Sequence, residues 1–208
     1  MSESRKQILN KIKMALAVPT PLPFPEAERG AFPIQPLQQD LVVEFAEQFT
    51  LLQGKFMFCM NETEMRKHFI MLCSQNSWTK IYCSEAKMIQ NLGLNKLHPD
   101  VASCEVAITG CEFLVARTGS AVLSSTANDR IPSVYAPIHI CIAYTSQIVY
   151  DVQDALAATK EKYGTSLPSL ISFATGPSRT ADIEKTLVVG VHGPKEVYCF
   201  LIDDSSPA

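Results

Sequence analysis

The sequence lacks the features that mark several common classes of protein. Its longest apolar stretches, Ile138–Tyr144 and Leu187–Val191, fall far short of the roughly 20 residues that a bilayer span requires. Basic residues are not in excess, because the formal net charge is −3 over 208 residues. Nucleic-acid binding is therefore not expected, since it depends on lysines and arginines that neutralise phosphates. No apolar run follows the basic residues near the N-terminus, which favours a cytoplasmic protein over a secreted one.

Seven cysteines are present, but no two are spaced as Cys-x-x-Cys. This excludes a contiguous ferredoxin-type run of iron–sulfur ligands and indicates buried, reduced thiols. Cys111 is predicted to be the least buried, and the neighbouring Glu112 would raise the pKa of its thiol. No histidine pair has zinc-ligand spacing and no glycine-rich nucleotide motif occurs. We therefore expect neither a metal nor a cofactor.

The chain divides by composition into an arm, a linker and a domain. Residues 1–18 contain Ile8, Ile12 and Leu16 at four-residue spacing, which predicts a helical arm with one apolar stripe. Residues 19–38 are rich in proline and are predicted to be an extended linker, because proline lacks the amide donor that helices and sheets need. Residues 39–208 form the main domain, and we expect the arm to pack against a protein surface.

The main domain alternates apolar strands with helices. The predicted strands share continuous apolar character; they are Lys55–Met60, Lys80–Cys83, Ala121–Ser124, Ile138–Tyr144, Ser169–Ala174 and Glu196–Ile202. A long helix is predicted over Gln147–Tyr163, and Asn61 with Glu64 three residues later predicts another helix start. Apolar strands of this kind belong to a sheet covered on both faces. The pattern predicts a three-layer α/β/α sandwich on a mostly parallel sheet.

A first polar stretch, Thr118-Gly119-Ser120, directly precedes a predicted strand. Glycine adopts positive φ at little cost, so its neighbours can turn backbone amides toward a phosphate or carboxylate. The local pattern favours a tight turn capped by hydroxyl groups over such a binding site. Both interpretations stay open at this point.

A second polar stretch runs from Thr175 to Glu184, directly after the predicted strand Ser169–Ala174. Ligands of open α/β sheets bind beyond the carboxyl ends of strands, which favours a binding loop here. Its candidate ligand-binding residues carry hydroxyl, amide or guanidinium donors; they are Thr175, Gly176, Ser178, Arg179 and Thr180. Asp182 and Glu184 are candidate acid–base groups, or they pair with Arg179 and hold the loop.

A third stretch, Gly190–Pro194, bends the chain between two apolar runs and contains His192. This histidine is either a turn residue bonded to backbone or a ligand-binding residue of the same cleft. His139 lies inside an apolar strand and is predicted to be a core histidine with a hydrogen-bond partner.

Two long segments resemble one known family. The run TGPSRTADIEKTLVVGVHGPKEVYCFLID, residues 175–203, is similar to the C-terminal signature of the lactate-utilisation protein C (LUD domain) family. The run from Cys111 to Tyr144 resembles its middle segment. Within it, Glu112 stands where the family commonly has an acid, which makes it a catalytic candidate. Arg130 stands in a polar loop expected to face the cleft, and Arg117 replaces the usual acid before Thr-Gly, which would favour anions.

The resemblance implies a fold like that of ribose-5-phosphate isomerase, glucosamine-phosphate deaminase and coenzyme A transferase. It implies a part in oxidising L-lactate to pyruvate, as the non-cluster component beside iron–sulfur partner subunits. The chain would bind those partners, or a small carboxylate or phosphate. The alternative is a stand-alone enzyme that acts on a phosphorylated or coenzyme A-linked molecule. Whether the chain is catalytic, and whether it forms a homo-oligomer, stays open.

Overall fold

The computed structural model describes residues 3–17, 36–125, 131–181 and 187–205. Two compact units are present, Met1–Pro36 and Leu37–Ala208. The helices are α1 (Glu3–Leu16), α2 (Leu41–Leu51), α3 (Glu62–Asn76), α4 (Ala86–Leu92), α5 (Pro132–Tyr135) and α6 (Val152–Tyr163). The strands are β1 (Lys55–Cys59), β2 (Ile81–Cys83), β3 (Val106–Thr109), β4 (Phe113–Val115), β5 (Ser120–Ser124), β6 (Ile138–Tyr144), β7 (Ile148–Val149), β8 (Ile171–Ala174), β9 (Arg179–Ala181), β10 (Leu187–Val189) and β11 (Glu196–Ile202).

Short polar side chains set the starts of the main helices. The Asp40 carboxylate accepts the amide of Val42 at 2.8 Å before α2, and the Asn61 side chain accepts the amide of Glu64 at 2.9 Å before α3. Each satisfies an amide that has no partner within the helix. The predicted helix start at Asn61 is confirmed.

A five-stranded parallel sheet in the order β1-β11-β6-β3-β2 forms the centre of the main unit. The apolar run of β6 follows from its central position, since side chains of both faces are buried. Ile140 and Ile142 belong to the core on one face, and Cys141 and Ala143 belong to the core on the other.

Different layers cover the two faces of the central sheet. Helices α3 and α4 pack on one face through side chains such as Phe69 and Leu92. On the other face lie α2, with Phe45 and Phe49 fully buried, and a second sheet in the order β7-β4-β5-β8. Helix α6 packs on the outer side of this second sheet through Ala155. The fold is therefore α/β, with helices on both sides of a mostly parallel sheet, as predicted.

Two of the predicted elements need correction. The helix predicted over Gln147–Tyr163 begins only at Val152, because Ile148–Val149 pairs with β4 and Asp151 caps the helix. The strand predicted over Ser169–Ala174 belongs to the second sheet and runs antiparallel to β5. The rule that places ligands at the carboxyl ends of parallel strands therefore does not apply to the loop that follows it.

The cysteines and the arm also bear on the sequence predictions. Six of the seven cysteines are buried and Cys73 is half-buried, so the prediction that Cys111 is the least buried is wrong. In its own unit, α1 has no buried residue, and Ile8 is 58% exposed. Across the described ranges, no helix has the length and apolar character needed to cross a membrane.

Candidate functional site

The first and second polar stretches meet where β5 pairs with β8. Ala121 lies opposite Ala174, so the residues just outside this pair become neighbours. The Ser120 and Thr175 hydroxyl oxygens are 2.8 Å apart, and the Thr118 and Ser120 hydroxyl oxygens are also 2.8 Å apart. The three hydroxyl groups therefore form one hydrogen-bonded chain, with Ser120 buried at its centre.

The glycines of these stretches allow close packing against α2. Gly119 has φ of 58°, and a Cβ there would lie 2.6 Å from the Phe49 amide nitrogen. Gly176 has φ of 74°, and a Cβ there would lie 2.9 Å from the Leu52 carbonyl oxygen. The Gly119 amide donates to the Ala116 carbonyl at 3.2 Å. Helix packing thus accounts for both glycines without a ligand, and their binding role stays a prediction.

Arg179 is also directed at the end of α2. Its guanidinium donates at 2.8 Å to the carbonyl oxygen of Leu52, the residue that caps the C-terminus of α2, where carbonyls lack a partner within the helix. A cation at this position is favourable because the helix C-terminus carries partial negative charge.

Replacing Arg179 with alanine should therefore lower stability only slightly, by at most about 1 kcal/mol, because the side chain is exposed. Urea denaturation of both proteins measures this. A loss several times larger would mean that Arg179 holds more of the loop than this one carbonyl.

Of the three catalytic candidates, Glu112 is the one that the structure describes; its side chain is buried, and both of its carboxylate oxygens accept hydrogen bonds. Its carboxylate accepts from the Ser124 hydroxyl at 2.5 Å, the Tyr163 hydroxyl at 2.7 Å and the Lys162 ammonium at 2.7 Å. Burial alone would raise the pKa of this carboxyl, but the hydrogen bonds from Lys162, Ser124 and Tyr163 outweigh it and hold the pKa below its usual range. Glu112 is therefore ionised and satisfied within the fold. A general base needs an oxygen within reach of substrate, and this arrangement offers none.

Arg117 pairs with Asp151, the cap of α6. The hydrogen bond from Arg117 holds the pKa of the Asp151 carboxyl below its usual range. The guanidinium thus ties the turn before β5 to the start of a helix, which does not support the expectation that it favours anions.

His139 is a core histidine as predicted, with Nε2 2.8 Å from the Thr109 hydroxyl and its pKa lowered by burial.

Three candidates, Arg130, Asp182 and Glu184, lie outside the described residues. Thr180 lies in β9 opposite Val188 of β10. Among the histidines, cysteines and carboxylates that the structure describes, no group of three or more is arranged to hold a metal ion.

The third polar stretch reaches the second through Ser178. The Ser178 amide donates to the Pro194 carbonyl at 2.9 Å, and the Gly190 amide donates to the Ser178 carbonyl at 3.0 Å. Loop residues 175–178 therefore contact both other stretches. All three lie toward the amino ends of the parallel strands, since Pro194 comes shortly before β11 and Leu52 shortly before β1.

His192 lines a pocket of about 390 Å³ together with Val134, Tyr135 and Lys195. Sequence reasoning missed Lys195, although it directly follows the Gly190–Pro194 bend. The sequence signal for Lys195 is a lysine directly after a glycine-rich turn. Sequence alone does not show whether such a lysine faces a pocket or solvent, because this depends on the direction of the turn. It also missed α5, which forms the opposite wall.

Comparisons with known proteins give a consistent family. A domain model described as LUD domain matches residues 54–202. The chain is 39% identical over 102 residues to "Lactate utilization protein C" of Bacillus licheniformis, covering 48% of this chain and 42% of that protein. It is 34% identical over 132 residues to the protein of that name in Bacillus subtilis, covering 61% and 55%. The chain thus matches about half the length of these relatives.

A solved structure shows a similar fold. The crystal structure of a DUF162 family protein from Deinococcus radiodurans matches with a TM-score of 0.61. The match covers 80% of this chain and 99% of that chain, at 16% sequence identity. At this identity the likeness concerns the fold alone.

Proposed function

The chain belongs to the LUD domain family, and from that membership we propose that it takes part in the utilisation of L-lactate. The observation that carries the proposal is the similarity to several proteins named lactate utilization protein C, at 34–39% identity. Since about half of each relative's length is matched, the activity of the whole relatives comes to this chain only as part of the proposal.

Within lactate utilisation, we assign the chain the role of a component without an iron–sulfur cluster. The seven cysteines are not gathered in one exposed loop: Cys111, Cys141 and Cys199 are hydrogen-bonded to one another, but all three are buried in the core. Ligation of a [2Fe–2S] or [4Fe–4S] cluster ordinarily takes four cysteine thiolates. Electron transfer would then belong to iron–sulfur partner proteins in the cytoplasm, and this chain would bind those partners or a small anion.

Deleting the gene should abolish growth on L-lactate as sole carbon source while growth on pyruvate continues. The reason is that only the oxidation of lactate to pyruvate would be interrupted. Growth curves on the two carbon sources, with the intact gene restored as control, measure this. Equal growth of the deletion strain on L-lactate would contradict the proposed function. Loss of growth on both carbon sources would point to a role outside lactate oxidation.

The alternative, a stand-alone enzyme for phosphorylated or coenzyme A-linked molecules, requires a reactive carboxylate. Glu112 does not supply one, because Lys162, Tyr163 and Ser124 occupy its oxygens. Purified protein that turned over a sugar phosphate or an acyl-coenzyme A, and lost this activity on replacement of Asp182 or Glu184, would revive this alternative.

A further inference from the structure

The pocket beside His192 has the dimensions and lining of a site for a small molecule. It lies at the amino edge of the central sheet, where the Lys195 amide donates to the Pro137 carbonyl at 2.8 Å. Its volume of about 390 Å³ falls near the lower end of the usual range for ligand sites, roughly 300–1,000 Å³. Val134, Pro137 and Val191 supply an apolar wall. Such a pocket suits a molecule of a few carbon atoms.

The polar groups of this pocket favour an anion. Lys195 and His192 are both exposed, and among the residues that the structure describes no carboxylate lines the pocket. Neither side chain forms an ion pair with another residue in the described part of the chain. The chain as a whole carries a net charge of −3, so a pocket whose described lining has a lysine and no acid departs from the average surface. An ammonium group beside an apolar wall complements a carboxylate with a short alkyl tail.

Gly190 allows the Lys195 side chain to lie where it does. Gly190 has φ of 79°, and a Cβ there would lie 2.1 Å from Lys195 Cγ and 3.2 Å from its Cβ. The lysine stem therefore lies directly over the glycine and is restricted in direction. A residue with a side chain at position 190 would push the stem away, which makes the position of the ammonium group depend on this glycine.

We propose that this pocket binds a short-chain carboxylate, whose carboxylate group is held by Lys195 and His192 and whose alkyl part packs against Val134 and Val191. The proposal rests on the proposed function and deepens it, since substrate and product of lactate oxidation are both three-carbon carboxylates. It assigns the anion to Lys195, whereas Arg179, the arginine of the second polar stretch, donates to the Leu52 carbonyl.

The test is titration calorimetry of the full chain with L-lactate, pyruvate and propionate, and with inorganic phosphate for comparison. We expect at least one of the three carboxylates to bind, and Lys195→Met to weaken that binding at least about tenfold. Gly190→Ala should weaken it in the same direction by displacing the lysine stem. Lys160→Met, on the exposed side of α6, is the matched control and should bind as the unmodified protein does.

Three outcomes would overturn the assignment. The first is no binding of any of the three carboxylates, and the second is equal binding by the Lys195→Met and Lys160→Met variants. The third is binding of phosphate in preference to all three carboxylates, which would make the site one for an inorganic anion. Growth of the deletion strain on L-lactate tests the proposed function separately. If the deletion strain fails to grow on L-lactate but the Lys195→Met variant binds the carboxylates as the unmodified protein does, the pocket assignment is rejected and the proposed function stands.

Discussion

The Gly119→Ala variant is expected to lose about 3 kcal/mol or more of its free energy of unfolding. The added methyl group would lie 2.6 Å from the Phe49 amide nitrogen and 2.9 Å from its Cα, and neither backbone atom can move without displacing α2. The left-handed backbone at Gly119, with φ of 58°, adds a further cost for any residue with a Cβ. Chemical denaturation followed by circular dichroism gives the difference.

Gly93→Ala is the matched control for this variant. Gly93 has nearly the same backbone conformation, with φ of 64° and ψ of 41°, but a methyl group there meets only the end of the Arg66 side chain. That flexible end can move aside, so only the conformational cost of a left-handed residue with a Cβ, about 1 to 2 kcal/mol, is expected. Equal losses in the free energy of unfolding of the two variants would show that close contact with α2 is not the reason for a glycine at position 119.

The Glu112→Gln variant is expected to lose about 1 to 2 kcal/mol of stability, because the buried Glu112 carboxylate loses charge-assisted hydrogen bonds while its partner Lys162, which is half exposed, stays solvated. A neutral amide cannot pair with the Lys162 ammonium, and it accepts from Tyr163 and Ser124 more weakly than a carboxylate. Glu161→Gln, one residue before Lys162 on the exposed side of α6, should change stability by no more than about 0.5 kcal/mol. A loss for Glu112→Gln no larger than this control would mean that the pair contributes nothing net to stability.

The same pair predicts a dependence on pH. The pKa of Glu112 is lowered in the folded protein, so the unfolded state binds the proton more readily. The contribution of Glu112 is therefore complete above the ordinary glutamate pKa and is lost as the pH falls through the lowered value. Denaturation curves between pH 7 and pH 3 should show a steeper acid loss for the unmodified protein than for Glu112→Gln. Parallel curves would contradict the lowered pKa.

Much of the fold follows from the periodicity of apolar residues. The strands Ile138–Tyr144 and Glu196–Ile202 were predicted with their observed limits, because a central parallel strand is apolar at nearly every position. The short strands of the second sheet were harder to predict. Ile148–Val149 has only two residues, which pair with β4, and such a stretch reads equally well as the first turn of α6. Pairing partners far apart in sequence decide such cases.

The candidate site was predictable in its location along the chain but not in the contacts of its residues. Thr118, Ser120 and Thr175 do meet, as hydroxyl-rich stretches beside strands suggested. Sequence could not reveal that Gly119 and Gly176 face the backbone of α2, because this depends on how a helix more than sixty residues earlier packs. Nor could it reveal the partners of Glu112, of which Lys162 and Tyr163 lie about fifty residues further along the chain.

Because α2 packs into the core, the folded domain begins earlier in the chain than the segment that the family model matches. That segment begins at residue 54, after α2 has ended. A fragment cut there would lose Phe45 and Phe49 from the core and leave uncovered the surface that Gly119 and Gly176 present to α2. Such a fragment would present a hydrophobic face to water and tend to aggregate. Recombinant pieces of this protein should therefore begin no later than Asp40, the residue that caps α2.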